Sequence, residues 1–242
     1  MTPEQIDAFL TLHRDLHREG PGEPGDVHWA LEQLGLSGPL DVLDAACGPG
    51  ADTLTLAEAL PEARITGVEK TAHFATEASA RIAAYAPRVQ AVEGDMSAPE
   101  GTFDLIWCAG ALYFLGVTEG LQGWRTVLNP GGAVVFSEPV LLSTPPSDGA
   151  RAFWEEYPQI TDLDGITARV TAAGYAVQDH RMIVGKPWAD YYGPLQARID
   201  MLRAQDPDAA LIAALDEHQR EIDTWRAAQD QIAYALLIVK PA

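Results

Sequence analysis

One segment constrains the fold of this chain more than any other: Asp41-Val42-Leu43-Asp44-Ala45-Ala46-Cys47-Gly48-Pro49-Gly50. Its first half fits a buried strand that ends on an acid. Its second half is a small-residue loop, and a helix is expected from Ala51. A strand running through a tight loop into a helix is the layout of a ligand pocket at the carboxyl edge of a parallel sheet. Gly48 and Gly50 let the backbone come close to a ligand, because no side chain stands in the way. The loop departs from the dinucleotide spacing: Gly48-Pro49-Gly50-Ala51-Asp52-Thr53 has no third glycine. Such a loop need not cradle a pyrophosphate.

The surrounding pattern supports an α/β chain. An amphipathic helix is expected over 4–18, with Ile6, Phe9, Leu10 and Leu16 on one side. Gly20-Pro21-Gly22-Glu23-Pro24-Gly25 breaks it, and a short helix follows to Leu34. From Leu40, strands at 40–45, 64–69, 89–94, 103–108 and 133–139 alternate with helices at 51–60, 71–86 and 118–128. Asn129-Pro130-Gly131-Gly132 reads as a helix stop and tight turn. The segment 141–159 is rich in Pro and Ser and then in aromatics. A helix over 161–173, a strand over 175–184, helices over 188–204 and 207–228, and a last strand over 231–240 complete the chain. The expected fold is a Rossmann-like doubly wound sheet of seven strands, mostly parallel with an antiparallel last strand. The expected organisation is one domain over 1–242: a helical cap at 1–36, a ligand-binding core at 37–140, lid segments at 141–160 and 186–229, and the last strand at 230–242.

Charge narrows the partners. The chain carries 16 basic and 35 acidic residues, a net charge of −19. Such a surface repels nucleic acid and anionic lipid, and no Lys/Arg cluster offsets it. No apolar run reaches the length of a membrane span. The polar N-terminus lacks the basic-then-apolar order of a signal peptide. These features point to a cytoplasmic protein, a monomer or homodimer, with a small-molecule partner. Cys47 and Cys108 alone cannot make a zinc site, and no metal is expected.

Three acids fall at consecutive strand ends. Asp44 can accept from a ligand ammonium group. Glu69 can take both hydroxyls of a ribose. Asp95, in Glu93-Gly94-Asp95-Met96, can accept from an exocyclic amine such as that of adenine, with Met96 covering the ring; its plainer reading is a turn or cap residue. Any one of these is a weak signal, but the shared register is a strong one.

With the segments LDAACGPG, TGVEK, EGDM, FDLIWCAGALYFLG and LNPGGAVVFSEP, the chain from Leu40 to Pro139 resembles the class I S-adenosylmethionine-dependent methyltransferases. The resemblance implies methyl transfer from S-adenosylmethionine, with S-adenosylhomocysteine as product. By that likeness Asp44, Ala45, Gly48 and Gly50 hold the methionine part, Glu69 and Lys70 meet the ribose, and Asp95 and Met96 meet the adenine. Cys108 and Ala109 line the pocket near the sulfonium. REGPGEP, AGALYFLG, FWEEYP and PWADYY are similar to a bacterial subgroup of small methyltransferases, whose pattern has an acid where this chain has Ala109.

Methyl transfer needs placement above all, and a base only if the acceptor must lose a proton. Glu138, at the end of the fifth strand, is the candidate base, with Tyr113 beside it. Trp154, Tyr157, Trp188, Tyr191 and Tyr192 are candidate lid or acceptor contacts, with core packing as the plainer reading for most. His13 and His17 stand four apart on the first helix; either is a candidate base if that helix closes the site, with His17 also a candidate lid residue, and a metal role lacks a third ligand. Two other readings are open. One is a nicotinamide-dependent oxidoreductase, which the missing glycine disfavours. The other is a non-catalytic module that keeps the same cofactor fold.

Overall fold

The computed structural model describes residues 1–242. Helices α1 (Pro3–His13) and α2 (Pro24–Leu34) precede β1 (Asp41–Ala45), α3 (Ala51–Ala59), β2 (Arg64–Glu69), α4 (Ala72–Arg81), β3 (Val89–Glu93) and β4 (Phe103–Cys108). Then come α5 (Val117–Trp124), β5 (Leu128–Leu141), α6 (Asp148–Phe153), α7 (Leu163–Ala172), β6 (Tyr175–Val184), α8 (Lys186–Arg203), α9 (Ala209–Ala227) and β7 (Ile232–Pro241). The strands form one sheet in the order β3-β2-β1-β4-β5-β7-β6. Only β7 runs against the others, pairing antiparallel with both β5 and β6. The strand order reverses between β1 and β4, and the crevice at their carboxyl ends is where ligands bind in sheets of this kind.

The central strands are apolar on both sides because helices cover both faces. Along β1, Val42 joins the core beneath α2, α3, α8 and α9, while Leu43 joins the core beneath α5 and α7. The same alternation places Leu105 and Trp107 on one face and Ile106 and Cys108 on the other. No helix is long and apolar enough to cross a membrane.

Three sequence expectations change. The first helix ends at His13 rather than Arg18, because Arg14 turns to extended backbone and Asp15 takes φ 61°. His13 and His17 therefore do not share a helix face. Asn129-Pro130-Gly131-Gly132 is not a turn between elements but part of β5. Phe103 pairs with Leu128 while Leu105 pairs with Ala133, so the extra residues bulge from the ladder. The Pro/Ser-rich stretch also holds α6, started by the Ser147 hydroxyl, which accepts from the Ala150 N–H.

Helix α1 packs on α8 and α9, and α6 packs on α9. These helices cover the carboxyl edge of the sheet from above. Below them, the loop after β1 is held at Gly50, where φ is 84° and an added Cβ would lie 2.9 Å from the Ala78 Cα. Gly50→Ala combines a left-handed backbone with a backbone clash. It is expected to cost about 2–4 kcal/mol in urea denaturation. Gly123→Ala, on an exposed turn of α5 with open space around it, is expected to stabilise by about 0.5–1 kcal/mol in the same measurement. Equal effects at the two positions would contradict this account of the loop.

Candidate functional site

The carboxyl ends of β1, β2 and β4, with α1 and the loop that follows it, enclose a cavity of about 460 Å³. Asp44 reaches it from β1 and is only 2% exposed. Its Oδ2 accepts from the Thr53 hydroxyl at 2.6 Å, and it has no ion-pair partner. Burial, with Asp52 nearby, pushes its carboxyl up to about 7 against the pull of Thr53 and Arg18. Asp52 is held instead by Arg18 and by the Trp107 indole N–H at 3.0 Å. That pair pins the loop after α1 onto α3.

Glu69, at the end of β2, uses both carboxylate oxygens. Oε2 accepts from the Gly48 N–H at 3.0 Å and Oε1 from the Thr71 N–H at 2.7 Å. It thereby ties the loop after β1 to the start of α4. Both Gly48 and Glu69 line the cavity, as does Ala109.

Other expected contacts lie elsewhere. Ala45 and Cys108 are buried in the core, since each is a strand residue pointing into a helix-covered face. Gly50 caps α3 behind the loop. Lys70 is exposed. Asp95 is also exposed: its Oδ1 accepts from the Ser97 N–H at 2.8 Å, the turn role that was its plainer reading. Met96 is tethered through its carbonyl, which accepts from the Trp124 indole N–H at 2.7 Å. None of these six lines the cavity wall. His17 Nδ1 accepts from the Arg81 guanidinium at 2.6 Å, and His17 borders a separate crevice with Asp190 and Pro194.

A second cavity of about 810 Å³ adjoins the first. Tyr113, Phe114, Tyr191 and Glu19 line both, so they mark the junction. Trp154, Tyr157, Trp188, Tyr192 and Tyr234 line the second. Trp188 donates to the Ile183 carbonyl at 2.9 Å, and its ring centroid lies 5.0 Å from that of Tyr234 and 6.1 Å from that of Tyr192. The Tyr192 hydroxyl donates to Glu221 at 2.6 Å. Glu138 is fully buried and lines neither cavity. Its Oε1 accepts from the Tyr157 hydroxyl at 2.6 Å, so Tyr157 stands between it and the second cavity. Burial pushes Glu138 up to about 7, with Tyr157 and Arg169 opposing.

Sequence reasoning missed one cluster. Glu19 Oε2 lies 2.6 Å from His13 Nδ1, and His13 Nε2 lies 2.9 Å from His218 Nε2. His218 Nδ1 donates to the Ala214 carbonyl at 2.9 Å. Burial, reinforced by Glu77 and Glu69, pushes Glu19 up to about 8, and burial pushes His13 down to about 4. No spacing rule joins residues from the two ends of the chain. The sequence singled out His13 alone; Glu19 lies within the loop that follows α1, and His218 lies on α9.

The raised carboxyls set a pH dependence. Asp44, Glu19 and Glu138 titrate near 7 to 8 in the folded protein, against ordinary values of 3.8 for Asp and 4.5 for Glu. Their stabilising contribution is complete below the ordinary values and is lost as pH rises through 7 to 8. His13 acts oppositely, costing stability only as pH falls below its ordinary 6.5. Above pH 6.5, where His13 no longer opposes them, the melting temperature is therefore expected to fall to about pH 8 and then level, and Glu19→Gln should flatten that slope. A level wild-type profile in differential scanning calorimetry would overturn these assignments.

Known proteins match this architecture. A family model described as "Methyltransferase domain" matches residues 42–132. A trans-aconitate 2-methyltransferase of Paracidovorax citrulli is 32% identical over 118 residues, covering 47% of this chain and 44% of that protein. The chain thus spans less than half the length of that curated relative. A methyltransferase from Geobacter sulfurreducens, crystallised with S-adenosylhomocysteine, superposes with a TM-score of 0.86 at 21% identity, covering 98% of both chains. A methyltransferase from Thiobacillus denitrificans, also holding S-adenosylhomocysteine, gives 0.84 at 20% identity over 97% of this chain and 98% of that one. The matched residues 42–132 contain β1 to the start of β5, the part of the sheet that carries Asp44, Gly48 and Glu69 to one cavity. Over residues 42–132 the chain is thus similar to a methyltransferase domain, and over nearly its whole length it shares the fold of methyltransferases solved with S-adenosylhomocysteine.

Proposed function

We propose that this protein transfers a methyl group from S-adenosylmethionine to a small-molecule acceptor by in-line displacement. One observation carries the reading: Asp44, Gly48 and Glu69 converge on a single cavity at the point where the strand order reverses. Asp44 is a buried acid with one hydrogen bond and no cation, which fits a ligand ammonium group. Glu69 offers paired oxygens of the kind that take vicinal hydroxyls. Asp95 keeps one carboxylate oxygen free beside Met96, and this pair is proposed to meet the adenine. The bound cofactor supplies an activated methyl carbon. The chain's own residues orient it, exclude water and shape the acceptor cavity.

The second cavity is the proposed acceptor site, closed by α6, α8 and α9 as a lid. Tyr113 stands at its junction with the cofactor cavity. The chain spans 44% of the first relative named for trans-aconitate, and that relative's acceptor is not carried over. The net charge of −19 supports a protein without nucleic-acid or anionic-lipid partners. A cytoplasmic monomer or homodimer without a metal is the matching proposal.

S-adenosylmethionine and S-adenosylhomocysteine, each at about a hundredfold above its dissociation constant, should raise the melting temperature by about 5–10 °C. A nicotinamide dinucleotide should not. Glu69→Gln should weaken both cofactors by about 10- to 100-fold in titration calorimetry. A shift with the dinucleotide alone would replace this reading by an oxidoreductase.

A further inference from the structure

Hydrogen-bond accounting fixes the protons in the Glu19–His13–His218 chain. His218 Nδ1 must carry a hydrogen, because its partner is the Ala214 carbonyl. Its Nε2 is then an acceptor, so His13 Nε2 must donate to it across 2.9 Å. If His13 is neutral, its Nδ1 is an acceptor, and the proton on the 2.6 Å contact belongs to Glu19 Oε2. Filling every link thus places one proton between Glu19 and His13. Glu19 Oε1 remains as a buried oxygen without a partner. Phe9 stacks on the His13 ring with centroids 4.1 Å apart, which holds that ring in place.

Glu19 also lines both cavities, whereas Glu138 lines neither. The second cavity is lined by Glu19, Glu155, Glu156, Glu217 and Glu221 against one cation, Arg220. Aromatic walls lie between these acids. That combination attracts an ammonium group and repels a carboxylate.

We propose that Glu19, backed by His13 and His218, is the proton acceptor of the site, and that the methyl acceptor is a small amine with an apolar body. The inference rests on the methyl-donor reading above. An ammonium acceptor has no free lone pair, so it must lose a proton before it can attack. The reactive form has lost the proton between Glu19 and His13, so the ammonium proton passes to the Glu19 carboxylate, while His13 keeps its Nε2–H on His218. The freed nitrogen lone pair forms the bond to the methyl carbon, and the carbon–sulfur pair stays with sulfur. The relay gains one proton, and the sulfonium charge is lost as the nitrogen takes it up. Glu19 is the group that touches the acceptor; His13 and His218 are positioning residues. The charged groups around the relay are Glu77 and His73 from α4, Glu69 from β2, and Glu217 and Glu221 from α9. Burial and the acids raise Glu19, and His218 and His73 oppose them.

The test uses the full chain, a panel of arylalkylamines and the matched arylalkyl carboxylates. With S-adenosylhomocysteine bound, amines should raise the melting temperature and carboxylates should not. With S-adenosylmethionine, amines should yield demethylated cofactor. Glu19→Gln should keep cofactor affinity within about threefold and lose about 10²- to 10⁴-fold in turnover, with the rising limb of the pH profile gone. Glu19→Asp should restore part of that limb, and His218→Asn should shift it while leaving the fold intact by circular dichroism. Binding of carboxylates in preference to amines overturns the acceptor class. Turnover by Glu19→Gln with the wild-type pH profile overturns the relay. Wild-type protein that binds neither cofactor overturns the donor reading itself.

Discussion

The close approach of the loop after β1 to its neighbours is the constraint on which the site depends. Two missing side chains permit it. A Cβ at Gly50 would lie 2.9 Å from the Ala78 Cα, and one at Gly67 would lie 2.8 Å from the Cys47 Sγ. The loop therefore sits wedged between α4 and β2, with its backbone against both. In that position the Gly48 N–H meets Glu69, and Glu69 in turn reaches the Thr71 N–H. One carboxylate thus joins the ends of two strands and the start of a helix. Local backbone freedom, close packing and a polar clamp act here as one arrangement, so a change at any of them moves the cavity wall.

The pattern of legibility follows from which interactions are local. β2, β4 and β6 were readable to the residue, β2 and β4 as mainly apolar runs and β6 as the segment set between Gly174 and Gly185. β5 was not, because Asn129-Pro130-Gly131-Gly132 carries turn chemistry yet is retained in the sheet as a bulge. The end of α1 was misread because apolar spacing continued through Leu16, while the backbone had already turned at Asp15. Among the site residues, Asp44 and Glu69 were legible because strand ends repeat along the sequence in register. Cys108 also ends a strand, but it faces the core beneath α5 and α7, a matter of packing that register alone does not decide. The Glu19–His13–His218 chain was illegible for a topological reason. His218 sits on α9, which folds back onto α1 only in the complete structure.

The two cavities draw on different parts of the chain. The family match ends at residue 132, and most of the wall of the second cavity comes from residues beyond it, with Glu19, Gly20, Pro21, Tyr113 and Phe114 before it. The shared core carries the features common to a methyl donor. The segments around α6, α8 and α9 have their own aromatic and acidic lining. A fold held in common across such relatives constrains the first cavity and leaves the second free to vary.

Surroundings then separate two buried acids, Glu138 and Glu19. Glu138 and Glu19 both have raised carboxyls, and burial is the main cause in each. Their surroundings differ in what they offer a proton. Glu138 meets the Tyr157 hydroxyl and, at 3.8 Å, the Arg169 guanidinium, so its partners stabilise a fixed negative charge and tie residues 154–159 to the sheet. Glu19 meets an imidazole that can accept as well as donate, and a second imidazole lies behind the first. A proton arriving at Glu138 would stop there, behind a tyrosine. One arriving at Glu19 is held at the cavity wall, on a carboxyl oriented by an imidazole. Access, rather than the size of the shift, makes the loop glutamate the group suited to chemistry and the strand glutamate the one suited to holding the lid.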